Sequence, residues 1–201
     1  MPSPRHLFSI LAILITSTAF AVDKKPLPPA PAKSPAHAVT TEFIQKQFGE
    51  NCTVLPSFRQ FVGDLDGDGI DDLVVAAKCK NPMADRDELD YVVADPFDTF
   101  MGFGDVKVTS NFASDVPERR GVAMLIIHGA DKDAWQAEKP KAKFLLINLP
   151  FKTLRVKKYA LKKRTVLGVY MEEQGEGENN SSVIYWDGKK YRYVQLGSTM
   201  E

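Results

Sequence analysis

Four aspartates, Asp64, Asp66, Asp68 and Asp72, stand at the first, third, fifth and ninth places of the run Asp64–Asp72, and the carbonyl of Ile70 falls at the seventh. Alternate residues of a tight turn point to one side, so these oxygens can converge on a single ion. Hard cations such as Ca²⁺ take six to eight oxygen ligands from carboxylates, carbonyls and water. Gly67 and Gly69 supply the positive-φ freedom that a curl around an ion needs. Without a cation, each close pair of carboxylates repels by about 1 to 3 kcal/mol at dielectrics between water and protein surface. No Lys or Arg lies between Arg59 and Lys78 to offset this locally. The run therefore predicts a cation site, with calcium the expected ion; the plainer alternative is an Asp/Gly-rich hairpin turn that holds none.

An EF-hand is excluded, because that loop needs a bidentate Glu at its twelfth place and Val75 stands there, inside an apolar run. The run Gly63-Asp64-Leu65-Asp66-Gly67-Asp68-Gly69-Ile70-Asp71-Asp72-Leu73-Val74-Val75 instead closely resembles the FG-GAP repeat, the calcium-binding repeat of integrin α-chain type, over about 20 of the 201 residues. The resemblance implies that Asp64, Asp66, Asp68, Ile70 (through its carbonyl) and Asp72 are the ligands. It also implies that the loop joins two antiparallel strands and that Asp71 faces solvent. A propeller needs at least four blades, and the chain carries one such motif. What the resemblance implies is thus the local strand–calcium loop–strand unit.

The chain begins as an export signal does. Arg5 and His6 precede the apolar stretch Leu7 to Ala19, and Ala19-Phe20-Ala21 is an A-x-A cleavage site, so residues 1–21 read as a signal peptide. The stretch is short for a membrane span, and no transmembrane segment is expected after cleavage. Residues 22–39 are rich in Pro, Ala and Lys with almost no bulky apolar side chain, which predicts a disordered tether. Residues 40–201 then form one domain of ordinary length. In an exported chain the two cysteines, Cys52 and Cys79, most simply pair. A bridge over that span stabilises a fold by about 3 kcal/mol through loop closure. A redox-active pair would want C-x-x-C spacing.

Elements must hold the loop in place. Thr40 or Thr41 can cap a helix to Phe48, with Phe43, Ile44 and Phe48 on one face and Gly49 as its stop. Phe58 to Val62 reads as the strand entering the aspartate loop, and the unbroken apolar run Leu73 to Ala77 as a strand leaving it, buried on both faces. Tyr91 to Ala94, Gly121 to Ile127, Lys143 to Leu149 and Thr165 to Met171 are further strands, whereas Phe97 to Phe103 reads as irregular packing under a loop. His128, at the end of its strand, reads as a residue with a local hydrogen bond. Asp187-Gly188 predicts a two-residue hairpin with Ile184, Trp186, Tyr191 and Tyr193 on its core face.

Three charged stretches remain. The loop from Asn81 to Asp90 and the polar turn from Glu172 to Asn180 gather acids, and Lys152 to Arg164 holds seven bases with no acid. The basic stretch could dock an anionic polymer or lipid headgroups, but its interspersed Leu154, Val156, Tyr159 and Leu161 also suit an ordinary solvated hairpin. Over the whole chain 26 Lys and Arg balance 26 Asp and Glu, which argues against a nucleic-acid binder.

The sum is a single α+β domain dominated by antiparallel β-sheet, with a short N-terminal helix and the strand–calcium loop–strand unit. No Walker loop, dinucleotide fingerprint, zinc constellation or nucleophile triad is present. The expected function is an exported, non-catalytic calcium-binding module, secreted or periplasmic, whose partner is a cell-envelope polymer or protein. The alternative is an exported hydrolase using the acids of 81–90 or 172–178, with calcium structural.

Overall fold

The computed structural model describes residues 28–102, 120–174 and 178–200. The expected signal peptide lies outside the described residues. In chain order the elements are α1 (Thr41–Phe48), β1 (Cys52–Val54), β2 (Phe61–Gly63), β3 (Asp72–Cys79), β4 (Val92–Ala94), α2 (Pro96–Phe100), β5 (Val122–His128), β6 (Ala142–Leu146), β7 (Thr153–Ala160), β8 (Thr165–Gln174), β9 (Glu178–Trp186) and β10 (Tyr191–Met200).

The two unbroken apolar runs, in β3 and β5, decide the layering, because a strand with no polar face needs cover on both sides. They pair antiparallel, from Leu73 opposite Ile127 to Lys78 opposite Val122. β6 continues the sheet antiparallel to β5, and β4 closes that side parallel to β6, so the sheet is mixed. On the other edge of β3, β1 and β2 lie end to end: β1 faces Ala77–Cys79 and β2 faces Asp72–Val74. One face of this sheet packs under α1, through Ile44, Phe48, Val62, Leu73, Val75, Leu125 and Ile127. The other faces a second, wholly antiparallel sheet in the order β10-β9-β8-β7. Between them lie Leu65, Val74, Met124, Ile126 and Phe144 from the first side and Leu167, Val169, Met171, Ile184 and Tyr191 from the second. The result is three layers: helix, mixed sheet, antiparallel sheet. No helix among the described residues is long and apolar enough to cross a membrane.

Local signals act where the sequence places them at α1. Thr40 caps it, its hydroxyl accepting from the Phe43 N–H at 3.3 Å, and Gly49 ends it at φ 89°. Elsewhere the structure differs from the sequence expectation in instructive ways. Phe97 lies in a short helix, because Asp95 accepts from the Asp98 N–H and Pro96 stands in the first turn, a start signal in its own right. The polar stretch after Glu172 continues as strand, pairing Glu172 with Ser181 and Glu173 with Asn180, since a ladder of backbone hydrogen bonds does not require apolar side chains beyond the core. The last hairpin turns over four residues, not two. Trp186 pairs with Tyr191, and the Asp187 carboxylate accepts from the N–H groups of Lys189 and Lys190 at 2.8 and 2.9 Å. A register moved by two keeps every side chain on its face, so Ile184, Tyr191 and Tyr193 are buried in the core as expected.

The second half of the Pro/Ala/Lys-rich segment lies along the domain. Lys33 exchanges both backbone hydrogen bonds with Val62, at 2.8 and 2.7 Å, and Val39 is buried beside α1. A stretch that builds no core of its own can still satisfy the free edge of β2.

Cys52 and Cys79 are bonded and stand directly opposite in the β1–β3 register. The bridge ties β1, not the strand entering the aspartate loop, to the end of β3 farthest from that loop. Replacing both cysteines by serine is expected to cost about 3 kcal/mol, read as a lower urea midpoint with an unchanged native spectrum. An equal midpoint would mean that packing alone holds β1.

Candidate metal centre

The loop between β2 and β3 closes one end of the sandwich, and Leu65, 2 % exposed, anchors it in the core between the sheets. Asp72, the first residue of β3, shares its face with Val74 and Ala76 and so points between the sheets, where it is 1 % exposed. Its carboxylate accepts from the N–H groups of Leu65 at 2.7 Å and Asp66 at 3.3 Å, and from that of Gly129, at the end of β5, at 2.8 Å. Asp72 thereby fixes both the loop and its position against the neighbouring strand. The curl itself is held by Asp64, whose oxygens accept from Gly67, Asp68 and Gly69 at 2.7, 3.1 and 3.0 Å. Gly67 and Gly69 have φ of 84° and 89° with open space where a Cβ would be, so backbone conformation and not crowding demands glycine.

Carboxylate oxygens of Asp64, Asp66 and Asp72 lie within 4.8 Å of one another. Asp68 stands outside that group. One of its oxygens accepts from the Ile70 N–H at 2.8 Å and the other meets the Lys141 ammonium at 2.7 Å. Asp71 points away, paired on the surface with Lys33 at 2.7 Å.

Lys141 is the main correction to the local reading of charge. Its ammonium also lies 2.6 Å from Asp66, whose side chain is 3 % exposed, so a protein cation does reach the acidic bend. It comes from the connection between β5 and β6, in which its N–H donates to the His128 carbonyl at 3.0 Å. Hydrogen bonds to Asp66 and Asp68 hold this ammonium's pKa well above the usual lysine range. Among the described residues Asp72 has no cation partner of its own. Burial first, and the Asp66 charge beside it, push its carboxyl up to about 7 against the opposing pull of its three N–H donors.

His128 corrects a second expectation. It is 1 % exposed, and its hydrogen bond is not local: Nε2 lies 2.6 Å from the hydroxyl of Tyr191, 63 residues away. Nδ1 faces Asp66 at 3.4 Å. Burial, the largest influence, lowers its pKa to about 4 and keeps the ring neutral, although the Asp66 charge pulls the other way. A neutral ring accepting from the Tyr191 O–H at Nε2 carries its proton at Nδ1, toward the carboxylate. Phe144, Trp186 and Tyr191 pack around it with ring centroids 5.0 to 5.8 Å away. The available signal was parity: His128 alternates with Met124 and Ile126, and so belongs to the inward face.

The donor set fits a hard cation. Three hydrogen-bonded carboxylates, that of Asp72 buried and those of Asp64 and Asp66 on partly exposed residues, meet at one end of the fold, and oxygen donors of this kind suit calcium or magnesium. An incoming ion would have to displace the Lys141 ammonium from Asp66, so the two cations compete for one carboxylate. Of the acids that a hydrolase would use, Glu176 lies outside the described residues, and Asp85 and Glu172 belong to different parts of the fold. Asp85 accepts from Asn51 beside the first sheet, whereas Glu172 accepts from Thr153 on the second. Comparison with family models, curated proteins and solved structures finds no match to this chain.

Two variants check the framework of the centre. Tyr191→Phe leaves the buried His128 Nε2 without its donor and is expected to destabilise the fold by about 1 to 3 kcal/mol. Gly129→Ala would place a Cβ 2.5 Å from the Asp71 carbonyl oxygen and 2.8 Å from Ile70. It is expected to cost about 1 to 3 kcal/mol by overpacking. Urea unfolding measures both, and wild-type midpoints would show that β5 does not brace the loop.

Proposed function

We propose that this chain is an exported, non-catalytic domain that binds calcium through Asp64, Asp66, Asp68, the Ile70 carbonyl and Asp72. The ion braces the turn between β2 and β3 and fixes one end of the sandwich, and the rigid body so formed presents a surface to a partner. The observation that carries this reading is the meeting of the Asp64, Asp66 and Asp72 carboxylates within 4.8 Å at one end of the fold. The disulfide adds support for an oxidising compartment, because such bonds persist there. Calcium is favoured over magnesium because a flexible loop of carboxylates and a carbonyl meets its irregular geometry, whereas magnesium demands a near-ideal octahedron and keeps its waters.

In this reading Lys141 stands in for the ion when calcium is scarce. Its ammonium quenches the repulsion between Asp66 and Asp68, and it withdraws when a divalent ion takes Asp66. Lysine is suited to this, being a point charge on a flexible stem that leaves without breaking a bidentate fork.

Thermal unfolding in calcium and in chelator tests the proposal. Extracellular calcium modules bind at about 10⁻⁴ to 10⁻³ M, so 10 mM calcium is expected to add about 1.4 to 2.7 kcal/mol by mass action. Lys141→Met is expected to lower stability in chelator and to tighten calcium binding measured calorimetrically, because the competitor is gone. Melting curves that coincide with and without calcium, in wild type and variant alike, would remove the ion from the account.

A further inference from the structure

Among the described residues other elements pack on both faces of the mixed sheet but on one face of the β7–β10 sheet, although Val166 and Val183 of its other face are themselves buried. Its outer face is set by the register. Arg155, Lys157 and Tyr159 of β7 lie opposite Tyr170, Gly168 and Val166 of β8; Gly168 and Tyr170 lie opposite Tyr185 and Val183 of β9; Tyr185 and Val183 lie opposite Arg192 and Val194 of β10. Gly168 lies buried in the middle of this face with the Val183 and Tyr159 side chains closed over it: a Cβ there would come within 2.7 Å of Val183 and 3.1 Å of Tyr159. Three half-buried tyrosines surround that point. The Tyr159 and Tyr185 rings lie 5.2 Å apart and those of Tyr159 and Tyr170 6.2 Å apart. The Lys157 ammonium sits 5.8 Å over the Tyr170 ring.

Around the tyrosines bases outnumber acids, and the acids present, Glu172 and Asp187, are paired with Arg155 and Arg192. Arg155 and Arg192 keep 57 % and 47 % of their side chains in solvent, and Lys157 is exposed. In an antiparallel meander the β7–β8 and β9–β10 turns fall at the same end, so Lys162, Lys163 and Arg164 gather beside Lys189 and Lys190. The Arg164 guanidinium donates to the Trp186 carbonyl at 3.2 Å, which joins the two turns. Glu172, an acid on the same face, stands toward the opposite end, 3.8 Å from Arg155. A solvated sheet face ordinarily mixes both signs. This one pairs aromatic rings with an excess of bases.

We propose that the outer face of β7–β10 docks an acidic polysaccharide. Its sugar rings would pack on Tyr159, Tyr170 and Tyr185, and its carboxylate or sulfate groups would pair with Arg155, Lys157 and Arg192. Charge complementarity selects a polyanion. Half-buried tyrosines suit a flat polar ring better than acyl chains. The disulfide favours a glycan of an oxidising compartment over nucleic acid. The proposal rests on the reading of the chain as a non-catalytic exported module and names its partner, but it does not need the calcium loop.

Calorimetry and affinity electrophoresis with polygalacturonate, heparin and neutral dextran test it, with single-stranded oligothymidylate and anionic phospholipid vesicles as rivals. Binding to polygalacturonate or heparin, and not to dextran, is expected. The uronate and the sulfated chain separate the two sources of negative charge. Combined Arg155→Gln, Lys157→Gln and Arg192→Gln should weaken binding by about tenfold or more, and Tyr159→Leu with Tyr185→Leu by about fivefold. The charge variant alters exposed side chains only, so its folding is not at risk if the tyrosine variant proves unstable. No binding to either acidic glycan at low salt, tighter binding to the oligonucleotide or vesicles, or affinity unmoved by the charge variant overturns the proposal. Running each titration in calcium and in chelator separates the two readings. Glycan binding that survives without any calcium effect on melting sinks the calcium reading alone, and the converse sinks this one alone.

Discussion

A buried carboxylate, that of Asp72, organises the end of the molecule that bears the candidate site. An ionised group almost wholly removed from water is tolerable only if its charge is met by donors or by an opposite charge. Asp72 takes three backbone N–H groups, two from the loop that precedes it and one from Gly129 on the neighbouring strand. Satisfying this one side chain therefore sets the conformation of Leu65 and Asp66, the junction after β5 and the direction in which the loop faces. The same arrangement brings Asp66 to His128 and, through the β5–β6 connection, to Lys141. Structural demand and ligand geometry arise from the same hydrogen bonds.

This coupling explains why the charges of the loop cannot be judged from the loop alone. Along the chain no cation lies between Arg59 and Lys78. In space Lys141 arrives from 75 residues away. Yet one ammonium serves Asp66 and Asp68 and leaves Asp64 and Asp72 with backbone donors only. The result is a bend partly neutralised by protein and partly not, the condition under which a competing divalent ion gains most from entering.

Much of the fold was legible because its signals are local. Thr40 and Gly49 delimit α1, the apolar runs of β3 and β5 announce a doubly covered sheet, and Cys52 and Cys79 pair. Where expectation and structure part, two local signals competed. Asp187-Gly188 favours a tight hairpin, but the Asp187 side chain captures the N–H groups of Lys189 and Lys190 and lengthens the turn. The acids after Glu172 suggest a loop, but the backbone ladder carries β8 and β9 past the edge of the core. At the candidate site the aspartates were visible as a pattern, whereas His128, Lys141 and Tyr191 were not. Their roles come from tertiary placement, and no spacing in the chain encodes a contact across 63 or 75 residues.

Charge balance is the quantity most easily misread. Equal numbers of acids and bases, 26 of each, describe the chain but not its surface. The five aspartates of 64–72 have no base among them, and the seven bases of 152–164 have no acid. Folding keeps these blocks apart: the first closes an end of the mixed sheet, and the second lines the antiparallel sheet and its turns. Potentials fall off over roughly 8 to 10 Å at physiological salt, so a ligand approaching either region responds to that block and not to the sum. A net charge of zero therefore describes neither region. That is why one domain can offer a site for a hard cation and, on another face, a surface suited to an anionic chain.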